Sequence, residues 1–255
     1  MAKTEYSIRI EDLKKTFDGK EFVLKGMDLE ILKGSLTAII GFSGTGKSVL
    51  LKHMLGLFRP TSGRIEVLGV DLSTLEPDDL TKFRCQFGVL FQSAALFDDM
   101  TVLENVSFPL VEHRRQLKPA EVERIATEKL KQVGLDPKHF HKLPSQISGG
   151  MQKRTGLARA LSLNPEILIY DEPTTGLDPI LTEMVDELIL ETHKQGKGTT
   201  SIMVSHDLAA AFRIADHIVM LDAGKVLLQG TAEDFFKSEI ELVHRFVSKG
   251  MKGQM

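Results

Sequence analysis

Apolar and polar side chains alternate with a period of two over 7–14 and again over 23–31, with the turn-forming pair Asp18-Gly19 between them. This pattern predicts an antiparallel pair of strands. Residues 36–40 then form a short unbroken apolar run, read as a strand buried on both faces, followed by a glycine-rich turn and a helix over 47–57 that stops at Arg59-Pro60. From 77 to 165 the spacing is largely helical, with helices predicted near 78–84, 102–113, 119–133 and 149–163. Strand character returns at 167–170 and 200–204, on either side of an amphipathic helix over 179–195. The end of the chain reads as a hairpin over 218–229, turning at Asp222-Ala223-Gly224, and a final helix opened by Thr231 and Asp234 as a capping pair. That helix is expected to carry Phe236, Ile240, Val243 and Val247 on one face.

Strands alternating with helices predict an α/β fold with a mixed or parallel core sheet, an N-terminal antiparallel β subdomain and an inserted α-helical subdomain. The expected organisation is a single domain over 1–255: a core with its antiparallel part over about 5–92 and 165–230, a helical subdomain over about 93–164, and a tail over about 231–255. A chain of 255 residues with 42% hydrophobic content can bury a core of that size. Thirty-two basic against thirty-five acidic residues leave a net charge of -3, so no global cationic field draws the chain to nucleic acid. The first fifteen residues lack the apolar core of a signal peptide, and no segment approaches the roughly 18 apolar residues of a spanning helix. A lone Cys85 excludes an internal disulfide, fits a reducing cytoplasm, and is expected to serve packing.

Gly41-Phe42-Ser43-Gly44-Thr45-Gly46-Lys47-Ser48 matches the phosphate-loop pattern and lies between a buried strand and the start of a helix, where its physics needs it. Glycines let backbone N–H groups turn toward phosphate oxygens, the helix N-terminus adds a favourable dipole, Lys47 reaches the outer phosphates, and Ser48 can ligate magnesium. The nucleotide-binding set is Gly41, Ser43, Gly44, Thr45, Gly46, Lys47, Ser48 and Val49. A second element, 167–172, is an apolar strand that delivers Asp171 and Glu172 at its C-terminal end, where α/β proteins bind ligands. Asp171 is expected in the magnesium shell, through water, and Glu172 as the general base toward the attacking water. These residues read as a phosphate-loop NTPase.

Ile147-Ser148-Gly149-Gly150-Met151-Gln152-Lys153-Arg154, between the loop and the carboxylate strand, resembles the signature motif of ABC ATPases. Gln92, Thr175-Gly176-Leu177-Asp178 and His206 in Val204-Ser205-His206-Asp207 complete that family's motifs in family order, over nearly the whole chain. The resemblance implies an ABC-type fold and ATP hydrolysis with Mg2+. It implies two chains sandwiching two ATP molecules head to tail, each site combining one copy's phosphate loop with Ser148, Gly149 and Gly150 of the other. It further implies that His206 contacts the terminal phosphate, that Gln92 senses magnesium and the attacking water, and that Asp178 lines the dimer seam. Adenine stacking in such proteins comes from an aromatic near the first strand; Phe17 stands in the matching place, with Phe22 as its competitor. Met151 departs from the family's commoner glutamine, and a thioether cannot replace an amide's hydrogen bonds across the dimer.

The Ser-Gly-Gly-Met form, together with 92–102 and 104–110, resembles the Mla-type ATPases of bacterial lipid transport. This implies phospholipid movement between inner and outer membranes through a permease and an MCE-domain protein, a small STAS-domain regulator docked by the tail, and a place on the cytoplasmic face of the inner membrane. A cassette for another cargo (amino acid, metal or drug) is the alternative, followed by a soluble ABC ATPase outside transport. Leu96 and Phe97 suit a shallow apolar groove for a permease helix and suit the core equally.

Overall fold

Strand β1 (Tyr6–Thr16) runs antiparallel to β2 (Phe22–Leu32), with Arg9 opposite Glu30 and Ile10 opposite Leu29. The predicted alternation is realised: Ile8, Ile10, Leu13, Met27, Leu29 and Ile31 are buried, while Arg9, Glu11, Lys25 and Asp28 face solvent. Strand β3 (Leu36–Ile40) is buried at every residue, as its unbroken apolar run required. Helix α1 (Lys47–Met54) is shorter than predicted, because the N–H groups of Leu57 and Phe58 turn back to the carbonyl of Lys52 around Gly56, which has φ 63°. Strands β4 (Ser62–Val67) and β5 (Val70–Asp71) were not predicted; β4 pairs with the other edge of β1, giving the sheet order β2-β1-β4-β5. Only Ile65 and Val67 of β4 are buried, too few apolar positions for a pattern to show. Helix α2 (Pro77–Phe83) follows.

The computed structural model describes residues 6–196 and 198–252, in two compact units: residues up to Arg84 with those from Gly198 onward, and residues from Cys85 to 196. The second unit opens with β6 (Phe87–Leu90) and continues through α3 (Val102–His113), α4 (Pro119–Gln132) and α5 (Gly149–Leu161). These three helices pack on one another, and β7 (Ile167–Asp171) then pairs parallel with β6 before α6 (Pro179–Gln195). The sequence hid β6 because Gly88 interrupts its apolar run. A Cβ there would lie 2.3 Å from the Ala160 carbonyl, so glycine is what lets α5 close on the strand.

In the first unit, β8 (Thr200–Val204) lies parallel to β3, and α7 (Leu208–Ile214) leads to β9 (His217–Asp222), parallel to β3 on its other side. β10 (Lys225–Gly230) returns antiparallel to β9 through the predicted turn, with Ala223 and Gly224 both at positive φ, 46° and 82°. The predicted final helix is two: α8 (Ala232–Lys237), with the Thr231–Asp234 capping box, and α9 (Glu241–Lys252). Ser238 is extended, at φ -64° and ψ 133°, which resets the helical phase. The expected common face is therefore corrected: Phe236 and Ile240 are 46% and 37% exposed, and the buried stripe is Val243, Phe246 and Val247. Among the described residues no helix is long and apolar enough to cross a membrane.

Candidate active site

β3 delivers the chain to Gly41 at the C-terminal edge of its sheet, and the loop that follows returns into α1. Gly44 and Gly46 sit at φ 81° and 103°, a region that L side chains rarely adopt, and a Cβ on Gly44 would meet nothing within 4 Å. Lys47 Nζ folds back over the loop, donating to the carbonyls of Gly41 at 2.6 Å and Phe42 at 3.2 Å. Thr45 Oγ1 donates to the same Phe42 carbonyl at 2.9 Å. Helix α1 starts at Gly46 with no side-chain cap and no acidic residue in its first turn. By contrast Thr101, Asp178, Asp207 and Thr231 cap α3, α6, α7 and α8. An uncapped helix N-terminus behind an open glycine loop, with a lysine laid across it, fits a polyphosphate. Among the described residues no group of three or more His, Cys, Asp and Glu side chains could hold a metal.

Ile39 of β3 lies opposite Val204 of β8, so the phosphate loop and the Ser205–Asp207 turn leave neighbouring parallel strands at the same edge. His206 is exposed on that turn, and Asp207 caps α7 by accepting from the Ala210 N–H at 3.1 Å. Phe17 stands at the tip of the β1–β2 hairpin, 60% exposed, against Phe58 in an edge-on contact of 5.4 Å. Lys15 Nζ lies 5.2 Å from the Phe17 ring.

The second unit repeats this geometry with β6 and β7, where Leu90 lies opposite Tyr170. Gln92, exposed, follows the end of β6, and Asp171 and Glu172 stand at the end of β7. Glu172 has φ 49°, a left-handed conformation costing a non-glycine residue roughly 1–2 kcal/mol. Its Oε2 accepts from Thr175 Oγ1 at 2.9 Å, which fixes the carboxylate. Ser148 is the N-cap of α5, its Oγ accepting from the Met151 N–H at 3.4 Å. A Cβ on exposed Gly149 would meet nothing within 4 Å. Asp178 Oδ1 accepts from the Leu181 N–H at 3.0 Å, so this candidate seam residue also caps α6.

The ABC transporter family profile matches residues 24–175. This chain belongs to that family. A probable ribonucleotide transport ATP-binding protein of Mycobacterium leprae is 39% identical over 244 residues, which make up 95% of this chain and 69% of that protein. The chloroplastic protein trigalactosyldiacylglycerol 3 of Arabidopsis thaliana is 37% identical over 261 residues, covering 96% of this chain and 74% of its own. A solved ATP-binding cassette, dimeric, in a post-hydrolysis state with ADP and Pi, superposes with a TM-score of 0.79 at 33% identity, covering 88% of this chain and 98% of that one. The chain is thus an ATP-hydrolysing ABC-type ATPase that works on ATP with Mg2+, with the α/β cassette fold its sequence predicted. The relatives' names point to unlike cargoes at similar identity, so the comparisons support the ABC family as a whole and not the Mla type within it.

The cassette also uses residues that motif reading passed over. Arg159 donates to the carbonyls of Ala94 and Ala95, both at 2.8 Å, and lies over the Phe97 ring at 5.7 Å. Asn105, fully buried, accepts from the Phe97 N–H at 2.8 Å and donates to the carbonyls of Phe97, Met100 and Thr101, each at 3.1 Å. Lys153 is buried in α5. Its signal was legible, since it lies four residues before Leu157 and eight before Leu161 on the helix's apolar stripe. Phe97 lines an apolar groove of about 350 Å³ with Phe87, Phe91, Phe108 and Pro109, whereas Leu96 does not line it.

Proposed function

We propose that this cassette powers a membrane transporter as a head-to-tail pair, each ATP held between the phosphate loop of one copy and Ser148, Gly149 and Gly150 of the other. The supporting observation is the start of α5. It is exposed, and with no side chain on Gly149 and open space around it, a phosphate held by another copy has room to approach the backbone amides at the helix start. In this reading Lys47 and the loop amides take the outer phosphates, Val49 continues that cradle, and Phe17 stacks on adenine. Ser48, Gln92 and Asp171 would hold magnesium, Asp171 through water, and the cation would supply positive charge against the negative charge that develops on the outer phosphate. Glu172 accepts the proton of the attacking water, Gln92 orients that water, His206 contacts the terminal phosphate, and Asp178 lines the seam between copies.

The apolar groove around Phe97 suits a short helix from a permease, and in this reading the cassette works at the cytoplasmic face of the membrane. Phospholipid cargo, with an MCE-domain partner and a STAS-domain regulator docked on the terminal helices, draws support from the 92–110 segment and from the galactolipid name of the Arabidopsis relative. A different cargo is favoured by the mycobacterial relative named for ribonucleotide transport. Purifying the tagged cassette from its native membrane separates these. A hydrophobic permease is the expected outcome, and bound phospholipid with it would favour the first cargo. A permease with a solute-binding protein and no lipid would favour the second reading, and recovery with no permease would end the transporter proposal.

A further inference from the structure

Lys153 is 5% exposed, and its ammonium donates to the carbonyl of Gln92 and, at 2.7 Å, to that of Pro173. Burial pushes its pKa down, and both acceptors are neutral. Lysine is rarely buried unless a charged partner offsets the loss of water, because two hydrogen bonds to neutral carbonyls at best offset the cost of desolvating the ammonium. Its presence in the interior therefore calls for something other than stability.

The two carbonyls belong to the two turns that carry the proposed chemistry. One is that of Gln92 itself, and Pro173 directly follows Glu172. Both turns are strained: Ala94 and Ala95, just after Gln92, have φ 60° and 47°, and Glu172 has φ 49°. Left-handed non-glycine residues persist only where their surroundings over-determine them. β6 and β7 release these turns side by side, and Lys153 reaches both from α5, whose Arg159 holds the Ala94 and Ala95 carbonyls as well.

We propose that Lys153 is a positioning residue for ATP hydrolysis: it ties the Gln92 turn to the Glu172 turn, and so sets the spacing between the water-orienting amide and the general base. The proposal rests on the roles given above to Gln92 and Glu172. It also makes α5 a connecting element, with Ser148 at its N-terminus and the tie to both turns little more than one helical turn further on.

The test uses the full-length cassette with Lys153→Met, which keeps length and apolar volume but loses the donor, and Lys153→Arg, which keeps donors. The readouts are kcat and KM for ATP, Kd for a fluorescent ATP analogue, and Tm. In Lys153→Met we expect kcat to fall roughly ten- to a hundredfold, as for sub-ångström to ångström misplacement of a catalytic group. Kd should stay within about twofold and Tm should be unchanged or higher, as replacing a buried charge by an apolar isostere allows. Lys153→Arg should regain part of kcat. A Lys153→Met cassette with undiminished kcat, or with Kd weakened in step with kcat, overturns the proposal. Loss of folded protein in both Lys153→Met and Lys153→Gln would make the residue structural and overturn it too. Glu172→Gln serves as the reference. Turnover surviving there removes the general-base role itself, whereas an inactive Glu172→Gln beside an active Lys153→Met defeats the Lys153 proposal alone.

Discussion

His53 is fully buried in α1, its Nδ1 2.7 Å from the Val49 carbonyl and its Nε2 without a hydrogen-bond partner, with Phe58 packed edge-on at 5.8 Å. Burial holds its pKa below the ordinary 6.5. The unfolded chain therefore takes up the proton first as pH falls. Stability is fully present above about pH 6.5 and is lost as pH drops through the lowered folded pKa. Tm should fall more steeply between about pH 7.5 and 5.5 in the natural chain than in His53→Leu, and equal slopes would contradict this linkage. Phe58 touches both His53 and Phe17, so the same small cluster supports the exposed ring offered to adenine. Motif reading assigned Phe17 from its position alone. What braces Phe17 depends on Phe58, which lies across the sheet connection and carries no motif of its own.

Helix α9 packs against α7, whose N-cap Asp207 follows His206, and its Phe246 meets Phe42 of the phosphate loop edge-on at 4.8 Å with an interplanar angle of 82°. Phe42 supplies the carbonyl on which Thr45 and Lys47 converge, so its ring is a handle on the loop. An aromatic pair of this kind contributes about 0.5–1.5 kcal/mol, and Phe246→Ala is expected to raise KM for ATP about three- to tenfold with kcat little changed. Phe42→Ala should match it, and the double variant should be no worse than either single one; additive losses would show that the two rings act separately. The terminal region also marks where periodicity stops informing. Thr231 and Asp234 announced a helix start correctly, yet the break at Ser238 left no strong breaker residue to read, and Phe236 and Ile240 passed to the exposed side. β4 and β6 were missed because each shows too little apolar pattern: β4 buries only Ile65 and Val67, and Gly88 interrupts the short apolar run of β6.

At the scale of the whole molecule, the proposed pairing predicts that Glu172→Gln binds ATP, does not turn it over, and accumulates as a dimer. Light scattering should report a dimer with ATP and a monomer without it; a monomer under both conditions would count against the sandwich. The phosphate loop, the Asp171-Glu172 pair, the signature at Ser148 and most elements were fixed by the sequence itself, because each depends on a few consecutive residues and on backbone geometry that a short segment sets alone. Only the tertiary structure decided that Lys153 meets the carbonyls of Gln92 and Pro173, that Gly88 makes room for Ala160, and that Phe246 rather than Ile240 turns inward. These outcomes are set by partners tens of residues away in the chain, and side-chain burial is a property of the pair that meets, which neither local segment specifies.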